Sequence, residues 1–253
     1  MLRCDRGEVA VITVDRPPAN AMTRAFFEEL TTLLAQLDRD DAVRAVVLTG
    51  SGAFFSAGLD LFEVFNTVEA EFHAFAAAFD TGFTALFEFG KPVVAAVNGH
   101  AIAGGAVLAA AADVRLLAAG KAKLGLTEIL VGVPFPATAL EIVRFSCHGP
   151  RLQELLYHGR TYSPDAACAL RLADEVTPPD ALMPTALGLA RELGSRPAVA
   201  FAGIKRALRA EALARMQRHA PGTDPVWNAW HSQEVRAAVE AFRARTLDAK
   251  ARK

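Results

Sequence analysis

The chain has 253 residues, 52% of them hydrophobic, and its 27 Lys and Arg nearly balance its 28 Asp and Glu. The apolar fraction excludes an intrinsically disordered protein, and a chain this long can bury a large core without disulfides or metals. A net charge of −1 argues against a nucleic-acid-binding protein.

Strands and helices alternate along the first two thirds of the chain. Apolar and β-branched runs predict four strands: Glu8–Asp15, Arg44–Gly50, Pro92–Val97 and Asp113–Leu117. Apolar residues at helical spacing predict six helices: from an N-cap at Thr23 to Asp38, Glu69–Phe89, Gly104–Ala112, Pro136–Phe145, Arg151–Tyr157 and Pro164–Leu170. This alternation predicts an α/β fold in which most strands pair in parallel.

One stretch in this region is long enough to cross a membrane. Pro92 to Ala112 is 21 residues without a formal charge. It nevertheless contains a proline, an asparagine, a histidine and three glycines, and much of the remainder is alanine. We therefore expect a buried strand, a turn and a buried helix, and no membrane association.

From about Asp180 onward the sequence is predicted to be helical, and its charge changes sign. Residues 191–253 hold 13 Lys and Arg against 6 Asp and Glu, whereas residues 1–190 hold 14 against 22. The basic segment is either a solvated helical face or a surface that meets a polyanionic ligand or an acidic neighbouring subunit. We divide the chain into an α/β core, residues 1–190, and a helical region, residues 191–253.

The cysteines and the N-terminal residues indicate in which cellular compartment the protein is expected. Cys4, Cys147 and Cys168 are far apart and form no C-x-x-C pair, which argues against a disulfide framework or a metal site. Asp5 and Glu8 interrupt the first residues, so no signal peptide is expected. A cytoplasmic location is predicted.

Small residues follow two of the predicted strands, at the sheet edge where ligands bind in α/β proteins. These segments are Phe55–Asp60 and Asn98–Gly105, and the second also opens a helix. Small residues let backbone N–H groups approach a ligand oxygen, and two such groups facing one point would form an oxyanion hole. The alternative is a pair of glycine turns with packing roles only.

Glu128 lies among apolar neighbours in the run Leu124–Val131. A buried carboxyl group has a raised pKa, which suits a general acid–base near neutral pH. A surface or capping glutamate is equally compatible with this local sequence.

Three segments identify a family resemblance. Val46–Leu61 and Lys91–Ala106 resemble the two signature segments of the crotonase, or enoyl-CoA hydratase/isomerase, superfamily, and Val11–Met22 is similar to its early Arg-Pro and Asn-Ala motif. The resemblance implies an α/β spiral of ββα turns, followed by a C-terminal helical region that builds a homotrimer or a dimer of trimers.

The resemblance also implies a site that binds acyl-CoA and uses neither a metal nor a redox cofactor, since coenzyme A is part of the substrate. The amides of Leu59 and Gly104 would hold the thioester oxygen, and Glu128 would move the proton. The loop that would contact coenzyme A consists of Ser56, Ala57, Gly58, Leu59, Asp60 and Leu61. Lys205, with Arg206 beside it, would meet the phosphates.

A departure from the hydratase pattern favours one reaction. Val107 stands where hydratases of the family carry a first catalytic glutamate, and Leu124–Pro136 is similar to the enoyl-CoA isomerases that move a double bond from position 3 to position 2 in fatty-acid β-oxidation. One carboxylate with an oxyanion hole suffices for such a proton shift, whereas hydration suits an acid–base pair. We therefore predict an isomerase.

Two alternatives remain open at this stage. The chain is a hydratase or another crotonase-type enzyme if a second acid is supplied by Asp60, Glu63 or Glu141. It is a non-catalytic acyl-CoA-binding or assembly subunit if neither reaction occurs. A run of phenylalanines either lines an acyl tunnel or belongs to the core: Phe62, Phe65, Phe72, Phe75 and Phe79.

Overall fold

The computed structural model describes residues 1–147 and 151–251, and for residues 246–251 only the helix to which they belong. The strands are β1 (Leu2–Asp5), β2 (Val9–Val14), β3 (Ala45–Gly50), β4 (Phe54–Ser56), β5 (Val93–Val97), β6 (His100–Ile102), β7 (Val114–Ala118), β8 (Leu124–Gly125) and β9 (Glu175–Thr177). The helices are α1 (Arg24–Arg39), α2 (Leu61–Phe65), α3 (Glu69–Glu88), α4 (Gly104–Ala110), α5 (Glu128–Val131), α6 (Ala137–Ser146), α7 (Arg151–His158), α8 (Pro164–Ala169), α9 (Leu182–Gly194), α10 (Ala198–Met216), α11 (Val226–Trp230) and α12 (Gln233–Ala251).

The strands form two sheets. The larger has the order β1-β2-β3-β5-β7-β9 and is parallel except between β1 and β2. The smaller, β4-β6-β8, is parallel throughout. Each of β3, β5 and β7 is followed by a short strand of the smaller sheet and then by a helix. The predicted α/β spiral of ββα turns is therefore confirmed.

The four predicted strands and six predicted helices are present, with ends shifted by at most two residues. The strands of the smaller sheet were not predicted because two or three residues are too few to show alternation. At α1, Thr23 acts as the expected N-cap, and its Oγ1 accepts a hydrogen bond of 3.2 Å from the amide of Phe26.

The uncharged stretch Pro92–Ala112 forms β5, β6 and α4, and nearly all of it is buried in the core. Among the residues that the structure describes, no helix is both long enough and apolar enough to span a bilayer. Burial inside the protein thus accounts for the missing charges.

The helices after the sheet pack closely on the core. These helices begin at Leu182, close to the predicted Asp180, and the division placed at residue 190 falls inside α9, which covers one face of the larger sheet. α10 packs against α3 and α6 on the other side of the sheet. All three cysteines are free thiols.

Candidate active site

A cavity of about 100 Å³ opens where the two small-residue loops meet. It is lined by Ala57, Leu59, Leu61, Phe79, Ile102, Ala103, Gly104, Val107, Thr127, Glu128, Val131, Val133, Phe135, Pro136, Ala139, Trp230 and Phe242. A larger groove, of about 1030 Å³, lies between α1, α3 and α10 and contains none of the predicted catalytic residues. The smaller cavity is the candidate site because it brings Leu59, Gly104 and Glu128 together.

Glu128 is the first residue of α5, and only 8% of its surface is exposed. Its Oε2 atom is buried and has no hydrogen-bond partner among the described residues. Burial raises the pKa of Glu128 from 4.5 to about 8, although a hydrogen bond with its own backbone opposes the shift. The carboxyl group can therefore both take up and release a proton near neutral pH.

The amide of Leu59 is oriented by a bridge to Met22. The amide of Met22 donates to the Gly58 carbonyl (2.8 Å), and the amide of Asp60 donates to the Met22 carbonyl (2.9 Å). In a parallel bridge of this kind the middle residue turns its own N–H and C=O to the opposite side. The N–H of Leu59 therefore points away from Met22.

Gly104 lies directly against this loop. A Cβ atom placed on Gly58 would come within 3.1 Å of the Gly104 nitrogen and 2.9 Å of the Ile102 carbonyl oxygen. Gly58 also has φ +91°, which favours glycine. Gly104 is the first residue of α4, so its N–H has no acceptor within the helix. Two backbone donors thus border one cavity, which can stabilise a developing oxyanion.

Ala103 fixes the direction of the Gly104 amide. Its φ of 50° and ψ of −124° lie in a region that residues with a Cβ seldom adopt, at a cost of about 1–3 kcal/mol. Its carbonyl accepts hydrogen bonds from the amides of Ala106 and Val107, and its own amide donates to Gly125 in β8. The start of α4 and the smaller sheet together hold this strained turn.

The other residues of the predicted coenzyme A loop divide into two groups. Ala57, Leu59 and Leu61 line the cavity. The buried Ser56 hydroxyl donates to the Asn20 carbonyl (2.8 Å) and accepts from the Gly58 amide (3.1 Å), so it holds the loop in place.

Asp60 stabilises the beginning of α2. Its Oδ1 accepts from the amides of Phe62 and Glu63, and its Oδ2 lies 2.7 Å from Arg16 Nη2. Partial burial would raise the pKa of Asp60, but the hydrogen bonds from Arg16 and the two amides, with the Arg16 charge, outweigh it and lower the pKa. Asp60 thus remains an ionised cap.

The second acids considered for hydration lie elsewhere. Asp60 is the cap just described, Glu63 is exposed and accepts from the Arg24 amide, and Glu141 is paired with Arg144 (3.2 Å) and Arg215 (2.6 Å). None of the three lines the cavity. Among its described lining residues, Glu128 is the one side chain that titrates.

The role predicted for Lys205 requires correction. Its ammonium group is 2.8 Å from Asp113 Oδ2 and donates to the carbonyl of Lys91, and Arg209 pairs with the other oxygen of Asp113. Burial lowers the pKa of Lys205 to about 8, with Asp113 opposing the shift. Since a buried cation needs a fixed partner, the ammonium group is paired and joins α10 to the core. Lys205 does not line the cavity.

Of the aromatic wall of the cavity, the sequence offered Phe79 as a candidate but not Trp230 or Phe242. Trp230 and Phe242 reach it from α11 and α12, and Phe79 reaches it from α3. Of the phenylalanines considered for an acyl tunnel, Phe72 and Phe75 belong to the core with Phe79, and Phe62 is 52% exposed. The sequence feature that could have indicated this wall is the spacing of the two tryptophans of the chain, which stand three residues apart at 227 and 230.

Comparison with known proteins agrees with this geometry. The sequence model for the enoyl-CoA hydratase/isomerase family matches residues 5–246. A protein of Mycolicibacterium paratuberculosis named as a probable enoyl-CoA hydratase is 35% identical over 217 residues, covering 83% of this chain and 84% of that protein. The short-chain-enoyl-CoA hydratase of Clostridium acetobutylicum is 33% identical, with coverage of 80% and 78%.

Solved structures of the same fold are named as isomerases in some cases and as hydratases in others. The human mitochondrial Δ3-Δ2-enoyl-CoA isomerase superposes with a TM-score of 0.94 at 24% identity, covering 98% of this chain and 99% of that chain, which shows the fold. An enoyl-CoA isomerase of Mycobacterium tuberculosis gives a TM-score of 0.79 at 31% identity, covering 89% and 96%. With its crotonase fold and the match along almost its whole length, the chain belongs to the enoyl-CoA hydratase/isomerase family.

Proposed function

We propose that this family member is an enoyl-CoA isomerase, which moves a double bond of an acyl-CoA from position 3 to position 2. The observation that carries the proposal is the isolation of Glu128, whose buried carboxyl group has no second titratable group beside it among the described cavity residues. A single acid–base is sufficient for moving one proton between two carbons of the same substrate.

The reaction needs two proton transfers and one oxyanion. The Glu128 carboxylate removes a proton from C2, and the electrons of that C–H bond pass toward the thioester oxygen. The N–H groups of Leu59 and Gly104 would stabilise the resulting enolate. Glu128 then returns the proton to C4 as the double bond forms between C2 and C3. Substrate and product have the same atoms, so the proposed reaction consumes no oxidant or reductant.

Val107 argues against hydration. It lies one turn into α4, is 1% exposed and lines the cavity with Glu128. An ordered water needs 2–4 polar partners, which valine cannot supply. The relatives bear hydratase names and one structural neighbour at 31% identity is called an isomerase, so the names alone do not decide between the reactions.

The decisive measurement is the ratio of two kcat/KM values. We expect the protein to isomerise 3-hexenoyl-CoA much faster than it hydrates 2-hexenoyl-CoA, because the cavity offers a proton carrier but no second group to activate water. Both reactions are followed through the absorbance of the conjugated thioester. A ratio in favour of hydration would contradict the proposal, and tight acyl-CoA binding without turnover would favour a non-catalytic subunit.

We further propose that the chain assembles as a homotrimer or a dimer of trimers. Support comes from exposed apolar side chains on α10: Ile204 (63% exposed) and Leu208 (67%) share one face of the helix, and Val199 at its beginning is 88% exposed. Exposed apolar patches mark association surfaces. Light scattering at micromolar concentration should report three or six times the chain mass. A stable monomer under those conditions would contradict this assignment.

A further inference from the structure

The size of the cavity limits the acyl group that can enter it. A cavity of 150 Å³ holds a benzene molecule of six heavy atoms, so one of about 100 Å³ holds roughly four. The carbonyl carbon must stay beside Leu59 and Gly104, and C2 to C4 must lie beside Glu128. Those three carbons leave room for about one more.

Two large aromatic side chains of the cavity lining are buried: Phe79 is 3% and Trp230 is 2% exposed. The loop residues Ala57, Leu59 and Ile102, which also line the cavity, are partly exposed. Since the thioester and coenzyme A have to remain on the exposed side, the end of the acyl chain is directed toward Trp230.

Trp230 is fixed from three directions. Its Nε1 donates a hydrogen bond of 3.1 Å to the Pro134 carbonyl, and its ring stacks on Phe65 at 5.8 Å with an interplanar angle of 8°. Trp227 packs against it at 5.1 Å and is itself held by a bond of 3.1 Å from its Nε1 to Asp80. A change of side-chain rotamer would break the Pro134 bond and lose the stacking on Phe65, so the wall does not open easily.

We propose that Trp230 sets the upper limit of acyl-chain length, and that the enzyme acts on acyl groups of about four to six carbons. The proposal deepens the function proposed above and rests on it for the identity of the substrate as an acyl-CoA. Trp230 is a specificity-determining residue because it touches the distal end of the acyl group and takes no part in proton transfer.

The test is a series of 3-enoyl-CoA substrates with four, six, eight and ten carbons. For the unaltered protein, kcat/KM should fall at least about tenfold between six and ten carbons, because a single excess methylene in a closed apolar pocket costs about that much. Trp230→Ala should abolish this fall, and Trp230→Phe should reduce it. Phe201→Ala is the matched control, because Phe201 lies on α10 and does not line the cavity, so its replacement should leave the length profile unchanged.

Measurements of acyl-CoA binding test the length limit independently of the proposed reaction. Calorimetry should show that butanoyl-CoA binds more tightly than decanoyl-CoA, and that Trp230→Ala removes the difference. If the alanine variant does not fold, Trp230→Phe provides the comparison. If no 3-enoyl-CoA is isomerised but this binding pattern holds, the proposed function fails and the length limit stands. A profile that favours ten carbons, or one that folded Trp230 variants leave unaltered, overturns the inference.

Discussion

Glu128→Gln is expected to lower kcat for isomerisation by about 10²–10⁴-fold, the usual cost of losing a positioned general acid–base. Glutamine keeps the size and polarity of the side chain but cannot accept the C2 proton. Acyl-CoA affinity should change little, because the amides of Leu59 and Gly104 remain in place. Glu63→Gln is the matched control: Glu63 is exposed and outside the cavity, so its variant should keep nearly full activity. If Glu128→Gln kept most of its activity, the mechanism would be wrong.

The raised pKa of Glu128 predicts two pH dependences of the unaltered protein, one in kcat/KM and one in the free energy of unfolding. Because the carboxylate is the base, kcat/KM of the unaltered enzyme should rise with pH and level off above about 8. In the folded state Glu128 holds a proton that the unfolded chain releases near pH 4.5. The free energy of unfolding should therefore fall as pH rises from about 4.5 through about 8, and urea titrations of Glu128→Gln should lack this component.

Gly104→Pro is expected to lower kcat by about 10²–10³-fold, because proline has no N–H and removes one oxyanion donor. Position 104 is the first of its helix, so proline removes no intrahelical hydrogen bond there, but proline also restricts the preceding residue, Ala103, which is already strained at φ 50°. Measurement of kcat for 3-hexenoyl-CoA, together with acyl-CoA binding to confirm that the variant folds, tests the assignment.

Gly104→Ala is the matched control, since alanine keeps the N–H. A Cβ at this position would meet the Met22 Cε atom at 2.9 Å, and the end of that flexible side chain can move. We expect a much smaller loss than for proline. Near-normal turnover in folded Gly104→Pro would remove this amide from the site.

Local patterns predicted much of this molecule. Thr23 and the apolar stripe after it locate α1, and the small residues after β3 and β5 locate the two loops that meet at Gly58 and Gly104. These predictions succeed because caps, helical periodicity and glycine preference depend on near neighbours.

The remainder depends on contacts between distant residues. Trp230 reaches the cavity from α11, and the Trp227 indole that supports it bonds to Asp80, 147 positions away in the chain. The sequence shows that Lys205 is basic, but only the fold shows that its ammonium group forms an ion pair with Asp113. A charge count cannot distinguish an ammonium group that is free for a ligand from one that is already paired.

The strand order suggests how the protein is made. β2 to β3, β3 to β5, β5 to β7 and β7 to β9 each join a strand to one that precedes it in the chain, so the sheet can grow in the order of synthesis. Trp227, whose indole bonds to Asp80 of α3, follows every strand of that sheet in the chain. A ribosome-bound chain that has released residues 1–200 thus already contains every strand of the sheet and the loops beside Glu128, whereas Trp230, which borders the cavity, has still to emerge.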